Sequence, residues 1–292
     1  MSAEAYRMPG VPPSLEPPPQ SPAAIFPGGG PCVELGRLRV AFSSEDPAWL
    51  DLARERLRAV SVSGAPDLEV EYRVVDRRRP DPQALFEARR RPLAARRRRG
   101  EALDLEGAGF RGSLDLAAGV ASLEGPMATY PLDFLLQALW YEGHPRGLIV
   151  HGVALARGVD ASLCAGPSGS GKSTLCGLFP ERALSDEQTG VRLGGSAPRV
   201  DAFPDWPGQG GSAELSAICL LRHGAHHRRR RLAPSAALAE LTTQVFWPTF
   251  DGRAVARTFE TLCDLVEEVP IYRLHFRPDR EVWRTLWGEG AP

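Results

Sequence analysis

Gly166-Pro167-Ser168-Gly169-Ser170-Gly171-Lys172-Ser173-Thr174 is the stretch on which the reading of this chain turns. It satisfies G-x-x-x-x-G-K-[ST], the P-loop pattern that cradles a polyphosphate. Residues 161–165 (Ala-Ser-Leu-Cys-Ala) form a short apolar run that reads as a buried strand. Residues 174–179 read as a short helix stopped by Pro180. The motif therefore has the strand–loop–helix context it requires. Its glycines let the backbone curl so that successive N–H groups point inward at phosphate oxygens, and the helix N-terminus adds about half a positive charge. Lys172 is spaced to reach the β- and γ-phosphates of ATP, and the Ser173 hydroxyl to ligate Mg²⁺.

The 35 basic residues are all arginine except Lys172, and asparagine is absent, the imprint of a GC-rich genome that replaces Lys by Arg. A lysine kept at this one position fits a compact ammonium against phosphate, where a planar guanidinium does not serve. At 292 residues the chain is long enough for two domains, and its net charge of −1 gives no global field toward nucleic acid or membrane. Five scattered cysteines, Cys32, Cys164, Cys176, Cys219 and Cys263, suit reduced thiols rather than a disulfide frame. With no signal-peptide pattern and no apolar run near the roughly 20 residues a membrane helix needs, a cytoplasmic protein is expected.

Residues 1–31 hold nine prolines and few aliphatics, which predicts a disordered tail. Residues 32–125 read as a small α+β domain: a strand over 33–42, a helix capped by Asp46-Pro47, an alternating strand from Leu68 to Val74, and a β-meander over 102–123. Its arginine runs (77–79, 89–91, 96–99) lack interleaved aromatics and read as a solvated helix and loop.

Residues 126–292 form the P-loop domain. A helix from Pro131 to Trp140 ends at Gly143 as a left-handed C′ stop. Strands 147–155 and 161–165 are too closely connected for a crossover and must be an antiparallel hairpin, so a hairpin feeds the P-loop. A short strand then ends at Asp186-Glu187, adjacent acids suited to Mg²⁺ and proton abstraction. The loop 204–211 reads equally as a substrate cover or a connector. After a buried strand at 217–221, His223, His226 and His227 have no partner at metal-site spacing, so they and Arg228–Arg231 read as a solvated loop. Helices over 235–246 and 252–268 follow, the second buried through Val255, Phe259, Leu262 and Val266. A strand (271–276) and a helix capped by Asp279 (279–287) complete the chain.

The order His151, hairpin, P-loop, acidic pair resembles the catalytic domain of the HPr kinase/phosphorylase-like family, which shares a fold with phosphoenolpyruvate carboxykinase. The later runs Phe203-Pro204-Asp205-Trp206-Pro207-Gly208 and Gln244-Val245-Phe246-Trp247-Pro248 are similar to HPr-kinase-like proteins, and the likeness covers about residues 130–280. It implies an α/β P-loop kinase domain with a mixed sheet. Asp186 matches the general base, Lys172 the phosphate-contacting lysine, Ser173 a Mg²⁺ ligand and His151 the histidine beside the phosphates, while Glu187 stands where a second Asp is usual. The family's later glycine-rich signature is not visible, and Asp201 is the candidate stand-in for its metal-binding acid. The function so implied is ATP-dependent phosphoryl transfer to a hydroxyl, most simply a serine of a small protein or peptide. A small-molecule kinase and a non-catalytic nucleotide-binding module are the alternatives. An ABC-type ATPase lacks its Leu-Ser-Gly-Gly-Gln-like signature here.

Overall fold

The computed structural model describes residues 29–57, 65–78, 80–90, 94–97 and 102–287. The tail 1–28 and the arginines Arg79, Arg91, Arg98 and Arg99 lie outside the described residues.

Two mixed sheets and seven α-helices make up the described part of the chain, a mixed α/β architecture. The first sheet holds β1 (Gly29–Leu35), β2 (Leu38–Ser43), β3 (Leu68–Asp76), β4 (Ala94–Arg97), β5 (Leu103–Gly107), β6 (Phe110–Asp115) and β7 (Val120–Pro126), in the order β1-β2-β3-β7-β6-β5-β4. The single strand expected over 33–42 is a hairpin instead, because Gly36 at φ 63° turns the chain between β1 and β2. Strand pairing begins at Gly29, so the last three residues assigned to the tail belong to β1. Helix α1 (Pro47–Arg56) starts as its sequence dictates, with the Asp46 carboxylate accepting the Ala48 N–H. β3 alternates buried Leu68, Val70 and Tyr72 with exposed Glu69, Glu71 and Arg73. The second arginine run ends α2 (Pro82–Arg90), and the third begins in β4 rather than in a loop.

Helix α3 (Tyr130–Gly143) is buried along most of its length and shares one core with the first sheet, Ile149 and Phe203. Trp140 is fully buried, stacked on His144 and tilted against Phe203, and its ring fills the space over Gly190, where a Cβ would meet it at 2.2 Å. The helix does not stop at a left-handed glycine. Gly143 is its last helical residue, and its missing side chain makes room for Leu38.

The second sheet holds β8 (Gly147–Arg157), β9 (Asp160–Ala165), β10 (Ala183–Ser185), β11 (Gln188–Arg192), β12 (Arg199–Ala202), β13 (Ser212–His223), β14 (Arg228–Arg231) and β15 (Ile271–Phe276). β8 and β9 form the expected antiparallel hairpin, turned at Gly158. β9 then runs parallel to β13, and β13 parallel to β15, so Ala165, His223 and Phe276 end on a common edge. β10 and β11 run along the other edge of β8, and β11 joins β12, which joins β13. The strands β8-β9-β13-β12-β11 thus close a circuit.

Helix α4 (Lys172–Leu178) packs with α7 (Val282–Trp287) on one face, around Leu175, Phe179, Trp283 and Phe276. α5 (Pro234–Leu241) and α6 (Gly252–Glu268) cover the opposite face. The helix expected over 235–246 ends at Leu241 and tightens into a 3-10 turn, Thr242–Gln244. In α6 the buried stripe is Ala254, Thr258, Thr261, Leu262, Leu265 and Val266, whereas Phe259 is 47% exposed. Leu262 and Val266 are buried as the spacing expects, whereas Val255 is half-buried and Ala254 and Thr258 take the inward positions expected for Val255 and Phe259. Arg228–Arg231 form a strand, antiparallel to β15, rather than a loop, while Arg228, Arg230 and Arg231 are exposed as expected. Asp279 caps the turn before α7 by accepting the Glu281 N–H.

Candidate functional site

The P-loop leaves the end of β9 at Gly166 and re-enters regular structure at Lys172, the first residue of α4. Gly169 (φ 78°) and Gly171 (φ 101°) take up the left-handed backbone that the curl demands, and a Cβ on Gly171 would strike Phe276 at 2.5 Å. Pro167, Ser168, Gly169, Ser173 and Thr174 are exposed along the loop's outer surface, while Gly166, Ser170 and Lys172 are buried. The Ser170 Oγ is buried without a hydrogen-bond partner. Lys172 folds its ammonium back over the loop, donating to the Gly166 carbonyl at 2.9 Å and the Pro167 carbonyl at 3.2 Å. An ammonium has three protons, so one remains for a ligand oxygen. Burial pulls the Lys172 pKa down, and the nearby Glu187 and Asp186 charges oppose that fall.

The acids approach the loop through β8. Gly152 pairs with Ala165 on one edge of β8 and donates its N–H to the Glu187 carbonyl on the other. Two strand spacings therefore separate the start of the P-loop from the acidic pair, about 10 Å between backbones. The pair does not sit at a simple strand end. β10 and β11 run in one line along β8, and Asp186-Glu187 is the break between them, with Glu187 at φ 70°, the one non-glycine residue with positive φ among the described residues. Backbone strain of this kind is held only where surrounding contacts enforce it. The loop 204–211 supplies some of them. Its Pro207 carbonyl accepts the Asp186 N–H, and its Gln209 and Gly210 N–H groups donate to the Ala183 and Leu184 carbonyls. That loop therefore braces β10 from outside.

Asp186 is half-buried, and its Oδ1 accepts the Glu187 N–H at 3.0 Å. Burial raises its pKa above the usual aspartate value, the Glu187 charge raises it further, and Lys172 and His151 pull the other way. Glu187 is hydrogen-bonded to the His151 Nε2, which holds its carboxyl below the ordinary glutamate range. Two adjacent carboxylates thus have opposite tendencies, a division that fits one acid for proton transfer and one for charge. Burial, with a smaller contribution from the Asp186 charge, pushes the Cys176 thiol on α4 up to about 12. Cys176 is an inert neighbour.

Asp201 is not part of this constellation. Its carboxylate is buried on β12 in a two-point pair with Arg192, at 2.6 and 2.9 Å, and does not substitute for a metal-binding acid. His227 pairs with Asp279, and His226 is exposed. His223 was passed over by sequence reasoning and belongs here, since its Nε2 donates to the Gly169 carbonyl at 2.6 Å. The signal for it is topological: β9, β13 and β15 are parallel, and ligand sites gather beyond the carboxyl ends of parallel strands. Arg222 and Glu240 were passed over too. With Gly166, Pro167, Thr243 and Gln244 they line a cavity of about 260 Å³ beside the P-loop.

A larger concavity, about 800 Å³, lies on the outer face of the first sheet. Its arginines Arg73 and Arg111 are both spent on Glu124, and no curled backbone faces it. It offers no phosphate cradle.

Among the described residues no cluster of three or more His, Cys, Asp or Glu side chains could hold a metal. Mg²⁺ does not demand one, since it is commonly bound by one or two carboxylates together with the phosphates of its substrate. The Ser173 hydroxyl and the Asp186 carboxylate are oxygen donors of the kind such a site uses, whereas the Glu187 carboxylate is engaged by His151. Compared with protein-family models and with curated proteins, the chain matches none. Among the described residues no helix is long and apolar enough to cross a membrane.

Proposed function

We propose that this chain is an ATP-dependent kinase that transfers the γ-phosphoryl group to a hydroxyl. The observation that carries the reading is convergence: β8 brings a curled glycine loop with a buried lysine and two carboxylates, which the sequence sets 14 and 15 positions after that lysine, to within two strand spacings of each other. Phosphoryl transfer needs little covalent participation from the protein and depends on positioning and charge stabilisation. The loop N–H groups and the third proton of Lys172 bind the β- and γ-phosphates. Asp186, with its raised pKa, accepts the proton of the acceptor hydroxyl. Glu187, fixed by His151, supplies the permanent negative charge opposite the lysine. Mg²⁺, held by Ser173 and a carboxylate, would neutralise phosphate charge.

The resemblance to HPr-kinase-like proteins favours a serine of a small protein or peptide as the acceptor. The cavity of about 260 Å³ at the shoulder of the loop supports a small-molecule acceptor as the second reading. Incubation with γ-labelled ATP, followed by separation of peptide and metabolite pools, decides between them. Tight ATP binding with no labelled product in either pool would instead favour a nucleotide-binding regulatory module.

Lys172→Ala is expected to weaken ATP binding at least about tenfold, because hydrogen bonds to charged groups contribute about 1.5–3 kcal/mol and about 1.4 kcal/mol is a factor of ten. Equilibrium titration with ATP checks this. Unchanged affinity would remove Lys172 from the site.

A further inference from the structure

β14 is an edge strand made of four arginines, and strand geometry divides them between two faces. Arg229 is accounted for: it donates to the Leu286 carbonyl at 2.7 Å and lies over the Tyr272 ring. Arg228 and Arg230 point to the other face, opposite their register partners His275 and Arg273 on β15. Between them is a hollow of about 250 Å³ lined by Arg228, Arg230, Arg273 and His275. Like charges directly opposite across a strand pair are destabilising. One acid comes near. Glu240 on α5 pairs with Arg273 through one oxygen and with Arg222 through the other, at 2.7 Å. Arg228, Arg230 and His275 have no acidic partner among the described residues. The Arg273 Nε is buried and unpaired.

Protecting an exposed sheet edge against aggregation explains outward charges on β14. It does not by itself explain why three guanidinium groups, with Arg230 directly opposite Arg273, line one hollow together with His275, all but Arg273 exposed to solvent. An anion inside it does.

We propose that this hollow binds the phosphate group of a small phosphorylated molecule, at a site separate from the P-loop. Guanidinium forks match phosphate oxygens two at a time, and charge-assisted bonds of this kind are the strong ones. At about 250 Å³ the hollow has room for a phosphoryl group and a small attached body. No aromatic side chain lines it, so it lacks the stacking platform of a single-stranded nucleic-acid groove. The site stands whether or not the P-loop transfers phosphate.

The test uses the full chain carrying Lys172→Ala, which weakens the P-loop's contribution, and reads the part of binding that depends on Arg228 and Arg230. Inorganic phosphate, a sugar phosphate, a phosphoserine peptide and a single-stranded oligonucleotide are titrated at constant ionic strength. Phosphate and the sugar phosphate are expected to bind. Adding Arg228→Ala and Arg230→Ala should weaken both about tenfold or more. Arg228→Lys with Arg230→Lys keeps the charge and the fold but loses the fork, and should weaken them by less. Arg199→Ala, at an exposed pair with Glu214, should leave both unchanged. Phosphate binding that is absent, or indifferent to the Arg228 and Arg230 changes, overturns the proposal. So does tighter binding of the peptide, or of the oligonucleotide with steep salt dependence, since either makes the strand a surface for a macromolecule.

Discussion

On the proposed kinase reading, Asp186→Asn is expected to lower phosphoryl transfer by about 10²–10⁴-fold, the usual contribution of a positioned general base, while ATP affinity stays within about twofold. The amide keeps the size of the carboxyl and its acceptor oxygen for the Glu187 N–H, so the break between β10 and β11 persists. What it loses is the ability to take a proton. The same substitution has a second, opposite consequence. Burial raises the Asp186 pKa, so the folded chain holds this proton more tightly than the unfolded chain does. As pH rises from the unfolded-state pKa to the folded-state pKa, ionisation costs folding stability, and above the folded-state value that cost is constant. Asn carries no such charge, so the variant is at least as stable as its parent at neutral pH and loses that difference below the unfolded-state pKa. The parent's transfer rate should fall on the acid side as Asp186 protonates, at a pH above the ordinary aspartate range. Initial rates with γ-labelled ATP, paired with denaturant melts across pH, check both. An Asn variant that turns over at the parental rate removes Asp186 as the base. One that is inactive and also less stable at neutral pH shows a structural role.

The elements around the P-loop were legible because each carries a local rule. A two-residue turn forces the hairpin, positive-φ glycines force the curl, and Pro180 stops α4. The cap at Asp46 is equally readable, whereas Asp279 caps a turn and the last helix begins three residues later, at Val282. The failures share a physical cause, which is that they depend on partners distant in sequence. Gly36 turns a run that alternation alone reads as one strand. Phe259 loses its place in the core to Thr258 and Thr261 because α6 is rotated by what it packs against. Asp201 is taken by Arg192, a pairing across β11 and β12 that no local pattern signals. His223 reaches the P-loop only because β13 lies parallel to β9, a pairing that no local pattern encodes. The arginines of β14 are exposed as the sequence implies, but that they form a strand is not legible because a four-residue charged strand has no hydrophobic period to find. Local rules placed the phosphate loop and its acids, and topology alone added the histidine and the basic hollow.

Trp140→Ala destabilises the chain by about 3–5 kcal/mol, the range for removing a fully buried tryptophan. Native domains are stable by only about 5–15 kcal/mol, so this one change consumes a large share. Its effect reaches beyond a cavity. The ring stacks on His144, whose Nε2 accepts the Arg37 N–H from the first sheet, and it covers Gly190 on β11 of the second. Residues Gln188 to Arg192 follow directly on the acidic pair, so loosening this contact should also lower transfer activity without touching the P-loop. Val159→Ala, at an exposed turn position, should shift stability by less than about 0.5 kcal/mol and serves as the control. Circular dichroism during urea unfolding measures both, since loss of an indole confounds fluorescence. The sharper test is a cycle with Gly190→Ala. In the parent its methyl would meet the indole at 2.2 Å, an overpacking that costs about 1–3 kcal/mol. With Trp140 already removed, the same methyl enters the space the ring has vacated, and the cost should shrink toward zero. That coupling assigns the energy to the contact itself. If Gly190→Ala costs the same in both backgrounds, the indole does not seat against β11, and α3 joins the second sheet by other contacts.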